Sequence, residues 1–154
     1  MTQIQAQTRP QPRQAQLTPI LLVEDDDIDI EAVRRALKKA NVANPLFNAR
    51  DGVEALEVLT GKGGAQTPVQ PCVMLLDINM PRMNGFQLLK EMRQDERLKK
   101  NIVFMLTTSS RNEDKTAAYE LNAAGYILKK NLHSLADMLG DYCKINEFPE
   151  GAGR

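Results

Sequence analysis

Cys72-Val73-Met74-Leu75-Leu76-Asp77-Ile78-Asn79-Met80-Pro81-Arg82-Met83-Asn84-Gly85 is an apolar run that stops on a carboxylate and enters a loop punctuated by proline and glycine. A short continuous hydrophobic run is what a strand buried on both faces of a parallel sheet requires. Three more runs stop the same way. Ile20-Leu21-Leu22-Val23 ends on Glu24-Asp25, Ile102-Val103-Phe104-Met105-Leu106 on Thr107, and Tyr126-Ile127-Leu128 on Lys129. An open α/β sheet gathers its site outside the carboxyl ends of its strands, so these residues are expected to meet in one crevice. Carboxylates, a hydroxyl and an ammonium together can hold a divalent cation and transfer a phosphoryl group.

Outward from these runs the pattern alternates. Strands are predicted at 20–24, 46–49, 72–76, 102–106 and 126–128, and helices at 27–40, 51–60, 85–95, 112–123 and 132–146. The helix over 27–40 rests on the stripe Ile30, Val33, Leu37 and Ala40, and the last on Leu132, Leu135, Leu139 and Tyr142. Five strands alternating with five helices specify the α/β class: a doubly wound, five-stranded parallel sheet covered on both faces. The common flavodoxin-like order, 2-1-3-4-5, makes strands one and three neighbours.

Residues 1–18 carry six glutamines, two arginines, two prolines and no acid, and are expected to form a disordered arm. One domain is expected over 19–146, followed by a tail over 147–154 too short for an output domain. The polar stretch from Gly61 to Pro68 reads as a long mobile connection, away from the carboxyl-end face. Twenty basic and 20 acidic residues balance the formal charge, which provides no overall field for nucleic acid or an anionic membrane. No apolar stretch approaches the roughly 20 residues that span a bilayer, so a cytoplasmic protein is expected. Cys72 and Cys143 lack the spacing of a zinc site or disulfide framework and read as free thiols.

Asp77 can be read as a turn or capping residue, or as a nucleophile exposed at a strand end, since aspartate is an acceptor in covalent phosphoryl transfer. The other strand ends favour the nucleophile. Glu24 and Asp25 would lie beside it, and three carboxylates in contact repel unless a cation or protons intervene. Magnesium, which takes carboxylates and phosphate oxygens while keeping waters, suits that demand; no histidine or cysteine cluster offers zinc a site. Asp26, Asp27 and Asp29 fall at the start of a helix, where capping, the helix dipole and solvation account for them. Thr107 is either part of an ordinary turn or a donor to a phosphoryl oxygen. Lys129 supplies a compact positive charge for the same oxygens, and Lys130 reads as a solvated neighbour pointing to the opposite side. His133, the only histidine, sits near the start of the last helix and reads as a bystander.

From Pro19 to Ile145 the chain resembles a receiver domain of the two-component response regulators, because four separate strand-end signals occur in order. The resemblance implies that Asp77 is the phosphoacceptor and that Glu24 and Asp25 form the acidic pocket. It further implies that Asp25, Asp77 and the backbone carbonyl of Asn79 bind Mg2+, that Thr107 and Tyr126 are the switch pair, and that Lys129 contacts the phosphate. Tyr126 precedes Lys129 by three residues, as an aromatic precedes the family's site lysine. Within the family the chain is similar to the single-domain regulators of phytochrome histidine kinases, through its glycine-rich connection, Thr107-Thr108-Ser109-Ser110, and Ala118-Tyr119-Glu120-Leu121 ahead of Tyr126-Ile127-Leu128-Lys129. One departure stands out. Receivers usually follow this lysine with a proline in a cis peptide, whereas Lys130 follows it here, and a non-proline cis bond costs about 3–4 kcal/mol.

The expected function is therefore relay: a sensor histidine kinase, phytochrome-type by resemblance, donates to Asp77, and the acyl phosphate reshapes the surface of helix four, strand five and helix five. An apolar second side on the last helix, Met138 and Ile145 with Phe148 beyond, predicts a homodimer through that surface. Two rivals are a phosphorylation-independent scaffold and a phosphatase of the haloacid dehalogenase type. In the latter, Asp25 and Asp27 would form the D-x-D pair.

Overall fold

A computed structural model describes residues 17–62, 68 and 70–147 of the chain. Five strands, β1 (Ile20–Val23), β2 (Leu46–Ala49), β3 (Val73–Leu76), β4 (Ile102–Thr107) and β5 (Gly125–Leu128), alternate with α1 (Asp27–Lys39), α2 (Gly52–Thr60), α3 (Gly85–Gln94), α4 (Asn112–Glu120) and α5 (Leu132–Ile145). The sheet order is β2-β1-β3-β4-β5, and every pairing is parallel. That is the expected doubly wound architecture. In the central register Ile20 lies opposite both Leu46 and Val73, and Val73 opposite Ile102, so the carboxyl ends of β1 and β3 are level.

Successive strand residues point to opposite faces, which divides the core in two. Leu21, Val23, Met74, Leu76, Val103 and Met105 pack on one face, against Ala55, Val58 and Leu59 of α2 and Leu88, Leu89 and Met92 of α3. Ile20, Leu22, Val73, Leu75, Phe104 and Leu106 pack on the other, against Ile30, Val33, Ala36 and Leu37 of α1 and Leu135, Ala136 and Leu139 of α5. Each fully buried Leu, Ile or Val stabilises the fold by roughly 1.5–3 kcal/mol, so the site is built on the rigid part of the molecule.

The parallel topology puts every helix N-terminus at the site end of the sheet, and side chains cap three of them. Asp26 accepts the Asp29 N–H above α1, Asp51 accepts the Glu54 N–H above α2, and Asn84 with Gln87 forms a capping box on α3. Asn84 N–H donates to Gln87 Oε1 while Gln87 N–H donates to Asn84 Oδ1, both at 2.9 Å. Each cap satisfies a helical N–H that would otherwise be unpaired.

Most boundaries lie within one residue of expectation, and two departures matter more. α4 ends at Glu120 rather than continuing to 123, because Asn122 turns left-handed at φ 59° and the chain heads into β5. Arg93 fixes that turn by donating to the Leu121 and Asn122 carbonyls at 2.9 and 3.0 Å. Lys129, expected at a strand end, begins a single 3-10 turn over Lys129–Asn131. Among the described residues the only cis peptide is Gln70-Pro71, so Lys129-Lys130 is trans.

Met138 does not lie on a second apolar face of α5; it packs on the same core as Leu132, Tyr142 and Cys143. Ile145 is exposed, as is Tyr119 of α4. Phe148, the arm over 1–16, the tail over 148–154 and the connection over 63–67 lie outside the described residues. Cys72 is buried and Cys143 half-buried, both as free thiols. Among the described residues no helix is long and apolar enough to cross a membrane.

Candidate functional site

Beyond the ends of β1 and β3, Glu24, Asp25, Asp29, Asp77, Asn79 and Lys129 line one crevice. Asp77 follows β3 directly. Its backbone N–H donates to the Val23 carbonyl at 3.1 Å, which extends the β1–β3 ladder by one step and fixes the residue next to Glu24. The sequence predicts an exposed carboxylate here, and the structure corrects that: Asp77 is buried. Only 7% of the residue reaches solvent, at the crevice floor, because α3 begins directly against it. Gly85 opens α3, and a Cβ there would sit 2.2 Å from the Asp77 carbonyl oxygen. Glycine is thus required by close approach of the two backbones.

The electrostatics follow from that burial. Burial and the neighbouring Glu24 charge push the Asp77 carboxyl up to about 6, opposed by Lys129 and by the N–H groups of Ile78 and Asn79. Ile78 N–H donates to Asp77 Oδ1 at 2.9 Å. Asp77 is therefore mostly ionised at neutral pH, yet poorly solvated, a state suited to a nucleophile. Glu24 is held from two sides, by the Asp26 N–H at 3.1 Å on Oε1 and by Lys129 Nζ at 2.8 Å on Oε2.

Lys129 comes from the 3-10 turn, and its side chain is 17% exposed. Nζ lies 2.8 Å from Glu24, 2.7 Å from Asp29 and 3.7 Å from Asp77. Burial alone would depress the ammonium; the bonds to Asp29 and Glu24 and the Asp77 charge raise it above an ordinary lysine instead. Lys130 is exposed, as expected, although a turn rather than strand alternation separates the two side chains.

Glu24, Asp25 and Asp77 each offer a carboxylate oxygen within 4.8 Å of the others. The Asp25 carboxylate makes no hydrogen bond among the described residues. An all-oxygen donor set with more negative than positive charge suits a hard divalent cation that keeps part of its water shell. The residues present fit magnesium.

Thr107 and Tyr126 sit beside the crevice, outside its lining. Thr107 ends β4 fully buried, and its hydroxyl oxygen accepts the Ser109 N–H at 3.2 Å. Tyr126 donates its phenol proton to the Ser109 carbonyl at 2.8 Å, and Ser109 Oγ donates to Asp114 on α4. One loop therefore joins the Thr107 hydroxyl, the Tyr126 ring and α4.

Sequence reasoning missed three interactions. Asp29, assigned to capping and solvation, is an ion-pair partner of Lys129; the α1 helix turn carries it over the crevice. Arg50 donates to the Asp25 carbonyl and, at 2.8 Å, to Asp27 Oδ1, which holds the acidic loop. Arg82, in a left-handed conformation at φ 61°, pairs at 2.6 Å with Asp51 and ties the loop after Asp77 to the start of α2. Burial would raise the Asp51 carboxyl, but the Glu54 N–H and Arg82 hold it below the usual carboxylate range. β2 also ends on polar residues, Arg50 and Asp51, but Asn48 interrupts its apolar run, so the rule that found the other strand ends does not reach it.

The response regulator receiver domain family model matches residues 20–139. Response regulator Rcp1 of Synechocystis sp. is 37% identical over 121 residues, covering 78% of this chain and 82% of that protein. The crystal structure of the Mn(2+)-bound form of Rcp1 superposes with a TM-score of 0.74 at 31% identity, over 86% of this chain and 99% of that one. The phosphorylated cyanobacterial phytochrome response regulator RcpA gives a TM-score of 0.73 at 29% identity, over 86% and 97% of the two chains.

Proposed function

The chain belongs to the response regulator receiver family, and we propose that it accepts a phosphoryl group on Asp77 from a sensor histidine kinase of the phytochrome type. The observation that carries this reading is a buried, ionisable Asp77 sharing one crevice with Glu24, Asp25 and Lys129. An Asp77 oxygen attacks phosphorus, the P–N bond of the donor phosphohistidine breaks, and the electron pair leaves on the imidazole nitrogen. The product is an acyl phosphate. Burial keeps the attacking oxygen poorly solvated, and the Ile78 N–H holds its partner oxygen in place.

Asp25, Asp77 and the Asn79 carbonyl are the groups to hold Mg2+, which when bound screens the negative charge between carboxylates and phosphoryl group. Lys129 offers its ammonium to the phosphoryl oxygens, and Thr107 turns its hydroxyl toward them. Moving Thr107 breaks its bond with the Ser109 N–H, which frees the loop that also holds Tyr126 and α4. The response then spreads over α4, β5 and α5, where exposed Tyr119 and Ile145 suit a homodimer contact. Two similar proteins support this reading: one is called a phytochrome response regulator, which favours the kinase class, and the other was solved with Mn(2+), which favours a divalent cation.

The test is phosphotransfer from labelled phytochrome histidine kinases with magnesium, using Asp77→Asn as control. Transfer that is acid-stable, base-labile and absent in the variant is expected. Full labelling of Asp77→Asn would place the acceptor elsewhere. Light scattering of the phosphorylated and unphosphorylated protein tests the dimer, and a monomer at tens of micromolar in both states rules it out.

A further inference from the structure

Lys129 reaches three carboxylates but bonds only two, and the pair it bonds excludes the proposed phosphoacceptor. Glu24 cannot readily move: it is 2% exposed and already accepts the Asp26 N–H. Asp29 differs. Its side chain is 38% exposed and projects from the first turn of α1, while its backbone N–H is fixed by the Asp26 cap at 3.0 Å. An ammonium has three donors. Two are directed at Glu24 and Asp29, and Asp77 at 3.7 Å is beyond hydrogen-bond reach.

We propose that Asp29 is a positioning residue that holds Lys129 away from Asp77 in the unphosphorylated protein and must release it when a phosphoryl group arrives. The proposal rests on the phosphoacceptor reading of Asp77. A phosphoryl group on that carboxylate adds oxygens on the Lys129 side of the crevice and competes with Asp29 for the same ammonium. Asp29 loses readily because water can solvate it, whereas Glu24 has no such replacement. The pair therefore keeps a permanent cation beside the nucleophile without joining the two in a tight ion pair. Its cost falls on the phosphorylated state, so Asp29 sets how far the equilibrium favours that state.

The experiment is calorimetric titration of the full chain with beryllofluoride in magnesium, as a phosphoryl mimic. Wild type is compared with Asp29→Asn, Lys129→Ala and the double variant. For a partly exposed ion pair, Asp29→Asn should tighten binding on the order of threefold. The gain should vanish in the Lys129→Ala background, since the effect runs through Lys129. Unchanged or weaker binding by Asp29→Asn overturns the proposal. An equal gain without Lys129 also overturns it, because it reduces Asp29 to a source of bulk negative charge. If Lys129→Ala does not fold, the acetylation rate of Lys129, mapped against Lys130 in the same chain, decides. A rise at Lys129 alone in Asp29→Asn supports the hold, and no change overturns it. Wild type that fails to bind beryllofluoride with magnesium refutes the phosphoacceptor reading itself.

Discussion

Replacing Asp77 by asparagine should stabilise the protein at neutral pH. The carboxyl is pushed up to about 6 in the fold from an ordinary 3.8, chiefly by burial and by Glu24. That gap is about two pH units, and at roughly 1.4 kcal/mol per unit an ionised Asp77 costs the fold about 3 kcal/mol. Below pH 3.8 the acid is neutral whether the chain is folded or not, and the cost is absent. Between 3.8 and about 6 the unfolded chain gives up its proton while the folded one retains it, so stability falls as pH rises through this window. Above it the full cost remains. Asparagine keeps the oxygen that accepts the Ile78 N–H and carries no charge to desolvate. Urea unfolding of both proteins should give equal stability near pH 3.5 and a variant ahead by about 3 kcal/mol at pH 8. Magnesium should narrow the gap at pH 8 by binding only folded wild type. A variant no more stable than wild type at pH 8, or ahead by the same amount at every pH, would refute the claim that Asp77 is held ionised against its surroundings.

Asp25→Ala should weaken magnesium binding and slow phosphotransfer while leaving the fold intact, because its carboxylate makes no hydrogen bond among the described residues; an unchanged magnesium titration places the cation elsewhere. Gly85→Ala should lower stability by roughly 3 kcal/mol or more, since its Cβ meets the Asp77 backbone at 2.2 Å; a thermal midpoint within a degree of wild type contradicts that packing. Arg82→Ala should lower stability slightly at neutral pH, since solvent around Arg82 screens its pair with Asp51. That loss should shrink in acid, because the depressed Asp51 carboxyl contributes in full above its ordinary 3.8 and loses the contribution as pH falls through its lower folded value; a loss independent of pH counts against the pair. Lys129→Ala should uncouple phosphorylation from the surface response more than it blocks labelling, with Lys130→Ala nearly silent. A larger effect of Lys130→Ala would reverse the assignment.

The strand-end rule worked because its signal is local: an apolar run that stops on Asp77 or Glu24 must leave that residue at the carboxyl end of its strand, whatever packs around it. Joined to the strand order common to doubly wound sheets, it gathered Asp25, Asp77 and Lys129 without any coordinate. It missed Asp29 because capping explained the residue fully. Nothing in the spacing of α1 tells which ammonium its first turn will meet 100 positions later. Met138 was misplaced for a related reason: the stripe of α5 defines which side is apolar, but the width of that side depends on how α5 lies against α1 and β5.

The sequence by itself determined the alternation of five strands and five helices, the sheet order expected of it, and the residues delivered to the carboxyl-end crevice. Those follow from periodicity and from where hydrophobic runs stop, properties of neighbouring residues. Only the tertiary structure decided that Asp77 lies at the crevice floor and that Lys129 bonds Glu24 and Asp29 in preference to it. It also decided that Arg50 and Arg82 brace the two loops on either side. Burial and ångström-scale distances between segments remote in the chain set those features, and they arise only when the sheet and helices close around one another.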